Sequence, residues 1–100
     1  MNAFSALAVP TRLEIFELIA NSEKSVTEIA AHFTFKMPTI SEHIRALHEA
    51  HLVTVRCEGR RRIYAVDEAG LLELEMWVQR QRGLMNAHAN ALERHLKSMD

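Results

Sequence analysis

The apolar positions of this chain change period twice, from about 3.6 to 2 and back, and the changes mark out its elements. From Thr11 to Asn21, Leu13, Ile15, Phe16, Leu18 and Ile19 form a broad apolar face, with Glu14 and Glu17 turned to solvent. That is an amphipathic helix, closed by Asn21-Ser22. Ahead of it Ala3 to Ala8 reads as a short helical segment, with Phe4, Leu7 and Ala8 apolar. Pro10 has no N–H to donate, so it breaks that segment or opens the next. Ser25-Val26-Thr27-Glu28 is a capping box, in which serine and glutamate each satisfy the other's backbone amide. The helix it opens carries Val26, Ile29, Ala30 and Phe33.

Thr34 to Met37 forms a turn, and Pro38 suits the first turn of a new helix, where its missing N–H costs nothing. Between Pro38 and Ala50, Ile40, Ile44 and Leu47 are spaced four and three apart and share one face. Thr39, Glu42, Arg45 and Glu49 therefore point away, with Ser41 and His43 flanking the stripe. Then the period shortens. Leu52 to Glu58 alternates and is rich in β-branched residues, and Arg62 to Val66 is its partner strand. Gly59 supplies the turn between them. Asp67 caps a last helix running from about Glu68 to Ser98, roughly 45 Å long at 1.5 Å per residue. Its stripe of Leu71, Leu74, Val78, Met85, Leu92 and Met99 has three-and-four spacing, interrupted by Gln81, His88 and His95. Gly83 is a candidate weak point or bend. Such a helix outruns a small core, so its seam needs a partner. The expected fold is mainly α with a small β-hairpin, in the order α-α-α-α-β-β-α. It forms one domain over residues 1–100 and a homodimer through the terminal helices, with Phe4, Leu7, Leu74, Trp77, Val78, Met85 and Leu92 at the interface.

A helix-turn-helix followed by a basic hairpin is an arrangement that meets duplex DNA, the second helix in the major groove and the hairpin on the backbone. The net charge of −1 argues against it at first. Locally the picture differs, because Arg56 to Arg62 holds four arginines and one glutamate. The acids are expected elsewhere: Glu14, Glu17 and Glu23 in one segment, Asp67, Glu68, Glu73 and Glu75 in another. Affinity follows the field at the phosphates more than the total charge. A single cysteine, Cys57, excludes an intrachain disulfide and fits a reducing cytoplasm. No secretory signal or membrane-length apolar run is present, so a cytoplasmic location is expected. No glycine-rich phosphate loop, nucleophile elbow, HExxH or cysteine pair occurs, so neither an enzyme nor a cofactor is expected.

Several segments resemble the ArsR/SmtB family of bacterial repressors. Ala6-Leu7-Ala8-Val9-Pro10-Thr11-Arg12-Leu13-Glu14-Ile15 is similar to its opening motif. Val26-Thr27-Glu28-Ile29-Ala30, Pro38-Thr39-Ile40-Ser41-Glu42-His43-Ile44, Leu47 and Leu52-Val53 resemble its helix-turn-helix, and Glu58-Gly59-Arg60-Arg61-Arg62-Ile63-Tyr64 its wing. The resemblance covers residues 4 to about 80. It implies a dimeric winged-helix repressor of its own or a neighbouring promoter, reading an inverted repeat. The chain departs from the pattern at Val9, Met37, Glu42 and His51. The last replaces a glycine, which predicts a less sharp helix exit.

The family's metal sensors carry a cysteine pair where this chain has Ser25 and Thr27. Their Asp-x-His and His-x-x-Glu ligands on the last helix are missing too, since Ala91 and Ser98 follow His88 and His95 by three. No metal site is therefore expected, and the chain resembles members of the autorepressor kind. On this reading Thr39, Ser41, Glu42 and Arg45 face bases or the groove edge, with His43 on phosphate or against the core. Lys36 holds phosphate at the helix start, and Arg60, Arg61 and Arg62 hold phosphate or reach the minor groove. Glu42 can accept from a cytosine amine. Cys57, beside Arg56, and the pair His88 and His95 are the residues through which a non-standard redox or metal response would run. A winged-helix module that binds protein instead of DNA is the alternative, and Glu42 and Glu49 favour it.

Overall fold

The computed structural model describes residues 2–98. Its helices are α1 (Ala3–Leu7), α2 (Pro10–Asn21), α3 (Val26–Ala30), α4 (Met37–Glu49) and α5 (Glu68–Ser98). Its strands are β1 (Lys24–Ser25), β2 (Val53–Glu58) and β3 (Arg61–Val66). The expected order holds with one addition. Lys24 and Ser25 form a short strand against Tyr64 and Ile63, so the hairpin belongs to a three-stranded antiparallel sheet ordered β1-β3-β2. Two residues are too few to show an alternation, which is why the strand has no sequence signature.

The core lies where α2, α3, α4 and the sheet meet. Ile15, Ile19, Ile29, Ile40, Ile44, Leu47, Leu52 and Val53 are its fully enclosed large side chains. The four-and-three stripe of α4 is thus the buried one, worth about 2 kcal/mol per aliphatic side chain. Leu13, read as part of the α2 face, is instead 40% exposed. The capping box of α3 is complete: Glu28 N donates to Ser25 Oγ, and Ser25 N donates to Glu28 Oε1, both at 3.2 Å.

The exit from α4 corrects an expectation. His51 itself adopts the left-handed region, with φ +59°, so the turn is as tight as a glycine would make it. Leu52 N donates to Leu47 O and His51 N to His48 O, both at 3.0 Å, which is the Schellman pattern. The conformation is held by the burial of Leu52 against Leu47, not by a preference of histidine. His51→Gly is therefore expected to raise stability by about 1 kcal/mol, read as a higher urea midpoint with an unchanged slope.

The same carbonyl anchors the last helix. Gly70 N donates to His51 O at 2.7 Å. A Cβ on Gly70 would lie 2.6 Å from that oxygen and 2.7 Å from Leu52 Cδ2. Gly70→Ala is expected to cost about 2 kcal/mol, overpacking outweighing the helix preference of alanine. A urea midpoint at or above that of the parent would contradict this close packing.

α5 begins on this contact, with Ala69 N donating to Asp67 Oδ1 at 3.0 Å as the cap. It runs unbroken through Gly83. The molecule measures 71 × 25 × 22 Å, with a radius of gyration of 19.5 Å. A compact chain of this length would have about 13 Å. The difference is α5, whose distal half stands clear of the core.

Candidate nucleic-acid interface

α4 presents three surfaces. Its inner stripe is buried. Its outer surface carries Glu42, Arg45 and Glu49, all exposed. Thr39 and Ser41 lie on opposite edges, since residues two apart on a helix are about 160° from each other once the shorter way round is taken. Arg45 Nε donates to Glu49 Oε1 at 3.3 Å. With the side chains 74% and 52% exposed, this pair is worth about 0.3–0.5 kcal/mol and leaves the guanidinium easy to redirect. Lys36, the residue before the helix, is exposed.

His43 is tied down. Arg12 Nε of α2 donates to its Nδ1 at 3.2 Å, so that nitrogen serves as an acceptor inside the fold. Partial burial, and then the neighbouring Arg12 charge, lower its pKa below 6.5, while Glu42 pulls the other way. A depressed folded-state pKa means that the unfolded chain binds the proton more readily. Stability from this contact is therefore full above about pH 6.5 and is lost as pH falls through the lower folded-state value. The parent's unfolding free energy is expected to drop between pH 7.5 and pH 5, and His43→Gln, whose amide oxygen can still accept, to drop less. Parallel pH profiles would remove His43 as the cause.

The hairpin turns at Gly59, with φ +61°. Glu58 pairs with Arg61, and Cys57 with Arg62. Cys57 is exposed. Here the expected separation of charges fails. Arg56 Nη1 and Nη2 donate to both carboxylate oxygens of Glu23, at 2.7 and 2.6 Å, and Nη2 also donates to Glu58 at 2.9 Å. These partners raise the Arg56 pKa further and lower that of Glu23. Arg61 Nη2 donates to Glu28 Oε1 at 2.8 Å. The pKa of Glu28 is lowered mainly by the Ser25 amide and hydroxyl, with Arg61 adding to it. Folding thus brings Glu23 and Glu28 onto the hairpin arginines from 33 residues away. Arg60 and Arg62 make no ion pair among the described residues, and they are the arginines left to face a partner.

Between α4 and the hairpin lies a hollow of about 350 Å³, lined by Ser41, Arg45, His48, Arg62 and Tyr64 over Val26 and Val55. His48 and Tyr64 were not among the candidate residues. Their signal was present in the spacing, because Ser41, Arg45 and His48 are four and three apart, and Arg62 and Tyr64 are two apart on a strand.

The residues expected at a dimer seam divide. Leu7 and Leu74 pack on the core of their own chain. Phe4 and Trp77 meet edge to face, with ring centroids 5.1 Å apart, and stay 38% and 43% exposed. Val78, Met85 and Leu92 are exposed, as are Leu84 and Leu96 on the same side of the helix. Met99 lies outside the described residues. Ser25, at one family cysteine position, spends its hydroxyl on the α3 cap. Among the described residues no group of three His, Cys, Asp or Glu is placed to hold a metal ion. None of the described helices is long and apolar enough to cross a membrane.

Known proteins share this arrangement. The family model for bacterial regulatory proteins of the arsR family matches residues 9–55, from the start of α2 into β2. An HTH-type transcriptional regulator of Mycobacterium tuberculosis, Rv2034, is 39% identical over 72% of this chain and 67% of its own length. The arsenical resistance operon repressor of Staphylococcus xylosus is 36% identical over 61% of this chain, which spans 59% of that protein. Among solved structures, the homodimeric winged helix-turn-helix DNA-binding domain of Mb0332 from Mycobacterium bovis superposes with a TM-score of 0.65. It is 32% identical, over 81% of this chain and 75% of that one. The match in sequence runs through the helix-turn-helix, the match in structure extends over the hairpin, and together they place this chain in the ArsR family of bacterial regulatory proteins.

Proposed function

We propose that this chain is a homodimeric, sequence-specific DNA-binding repressor acting on its own or a neighbouring promoter. One observation carries the reading: an exposed α4 surface lies beside a hairpin whose Arg60 and Arg62 have no internal partner. Ser41, Glu42 and Arg45 face the groove, and Thr39 its far edge. Lys36 holds phosphate at the α4 start. Arg60 and Arg62 hold the backbone or enter the minor groove, and Arg61 joins them only by releasing Glu28. His43 positions α4 through Arg12 more than it touches DNA. Two copies joined along α5 would set their α4 helices about 34 Å apart, one turn of DNA, and so read an inverted repeat.

The test is fluorescence anisotropy on the gene's own upstream DNA beside a scrambled duplex, over a salt series. Tight, salt-steep binding that prefers the native duplex is expected. Equal, weak and salt-flat binding would overturn the reading and favour a protein partner for the outer surface, where Glu42 and Glu49 flank Arg45.

A further inference from the structure

We propose that the hollow between α4 and the hairpin is a seat for a phosphoryl group carried on an apolar body. Its walls come from two elements that face each other. Ser41, Arg45 and His48 share one edge of α4, and Arg62 and Tyr64 project from one side of β3. Val55 lies opposite Tyr64 in the ladder and, with Val26, gives the floor its apolar character. Two guanidinium groups, an imidazole and two hydroxyls line the space, and no carboxylate does. Guanidinium forks match the geometry of phosphate oxygens better than any other side chain.

Neither Arg62 nor the Tyr64 hydroxyl has a hydrogen-bond partner among the described residues, although Tyr64 is only 8% exposed. A nearly enclosed tyrosine normally satisfies its hydroxyl within the fold. Here the hydroxyl is left for something in the hollow. Arg45 is engaged only by the exposed Glu49 and can turn inward. At about 350 Å³ the space falls within the roughly 300–1,000 Å³ of small-molecule sites, so it has room for more than an inorganic ion.

This chemistry has two sources, the sugar-phosphate backbone of duplex DNA and a free organic phosphate. The seat itself does not rest on the DNA reading, but its occupation by backbone does. The probe is phenyl phosphate, titrated into the full chain at fixed ionic strength and followed by NMR. Orthophosphate serves as the charge without the body, and benzyl alcohol as the body without the charge. Phenyl phosphate is expected to shift the Val26 and Val55 methyls and the Tyr64 ring saturably, with a Kd on the order of 1 mM. Orthophosphate should bind about tenfold more weakly, and benzyl alcohol should not saturate. Arg62→Gln and Tyr64→Phe should each weaken phenyl phosphate by about fivefold to tenfold, the second with the fold intact because only a hydroxyl is lost. Non-saturating shifts spread over all arginines, or unchanged affinity in both variants, would overturn the seat.

A second arm separates the sources. Saturating phenyl phosphate at matched ionic strength should raise the Kd for labelled duplex, which assigns the seat to the DNA backbone as well. An unchanged duplex Kd would assign it to free organic phosphates alone. A chain that binds no duplex would sink the regulator reading, while the titration would still decide the seat.

Discussion

A chain carrying Met85→Glu and Leu92→Glu is expected to sediment as a monomer at concentrations where the parent sediments as a dimer. The reason lies in where α5 is covered. Over its first turns the stripe meets its own core: Leu74 packs inward and Trp77 lies against Phe4. Beyond Gln81 the stripe continues with nothing over it. Leu84, Met85, Leu92 and Leu96 are 56%, 69%, 61% and 57% exposed. An uncovered apolar row of that length on a solvated helix marks an association surface. In a two-fold dimer each substitution acts twice. Four side chains, each losing about 1 kcal/mol of burial, raise the dissociation constant about a thousandfold.

Leu72→Glu provides the control. Leu72 is 54% exposed but lies on the opposite side of α5 from Met85 and Leu92. Its substitution should leave the dimer unchanged. A dimer that survives the double substitution but falls to Leu72→Glu would move the interface to the other side of the helix. DNA binding should fall with dimerisation, because a monomer reads only one half-site.

What the sequence revealed and what it concealed divide along a physical line. Local periodicity exposed the inner stripe of α4, the hairpin and the length of α5, because each is written in residues three, four or two apart. The capping box was legible for the same reason. Contacts between distant segments leave no such trace. Nothing in the order of residues joins Glu28 to Arg61 or Glu23 to Arg56, so the hairpin reads as more basic than it is in the fold. The strand Lys24–Ser25 exists only because β3 lies beside it. The left-handed His51 was concealed by its own side chain, since a glycine there would have signalled the turn. Gly70 looked like an ordinary helix-weakening residue, and only the fold shows the His51 carbonyl pressed against it. The outward residues of α4 were found from the inward ones by exclusion. That method names Thr39 and Ser41 together although they occupy opposite edges.

Replacing Arg60 and Arg62 by glutamine is expected to weaken binding to every duplex by about 30-fold at 0.15 M salt and to lower the salt slope by about 2. A contact that neutralises one phosphate contributes a slope near 0.9, which is about fivefold in affinity at this ionic strength. Two contacts multiply, and neither arginine has an ion pair within the fold to be broken first. The loss should be the same on specific and scrambled DNA, because phosphate contacts carry no sequence information. The paired arginines supply the comparison. Removing Arg61 together with Glu28, as Arg61→Gln with Glu28→Gln, leaves the local charge unchanged and keeps a glutamine able to complete the Ser25 capping box. An exposed pair of this kind is worth at most about 1 kcal/mol, so the affinity of that double variant should stay within about threefold of the parent. If it too fell 30-fold, Arg61 would be exchanging Glu28 for a phosphate on binding, and the hairpin would hold DNA through three arginines, not two. The salt slope decides between these cases independently of affinity. It counts released counterions, and an arginine that merely trades one anion for another while freeing a carboxylate contributes little to the count.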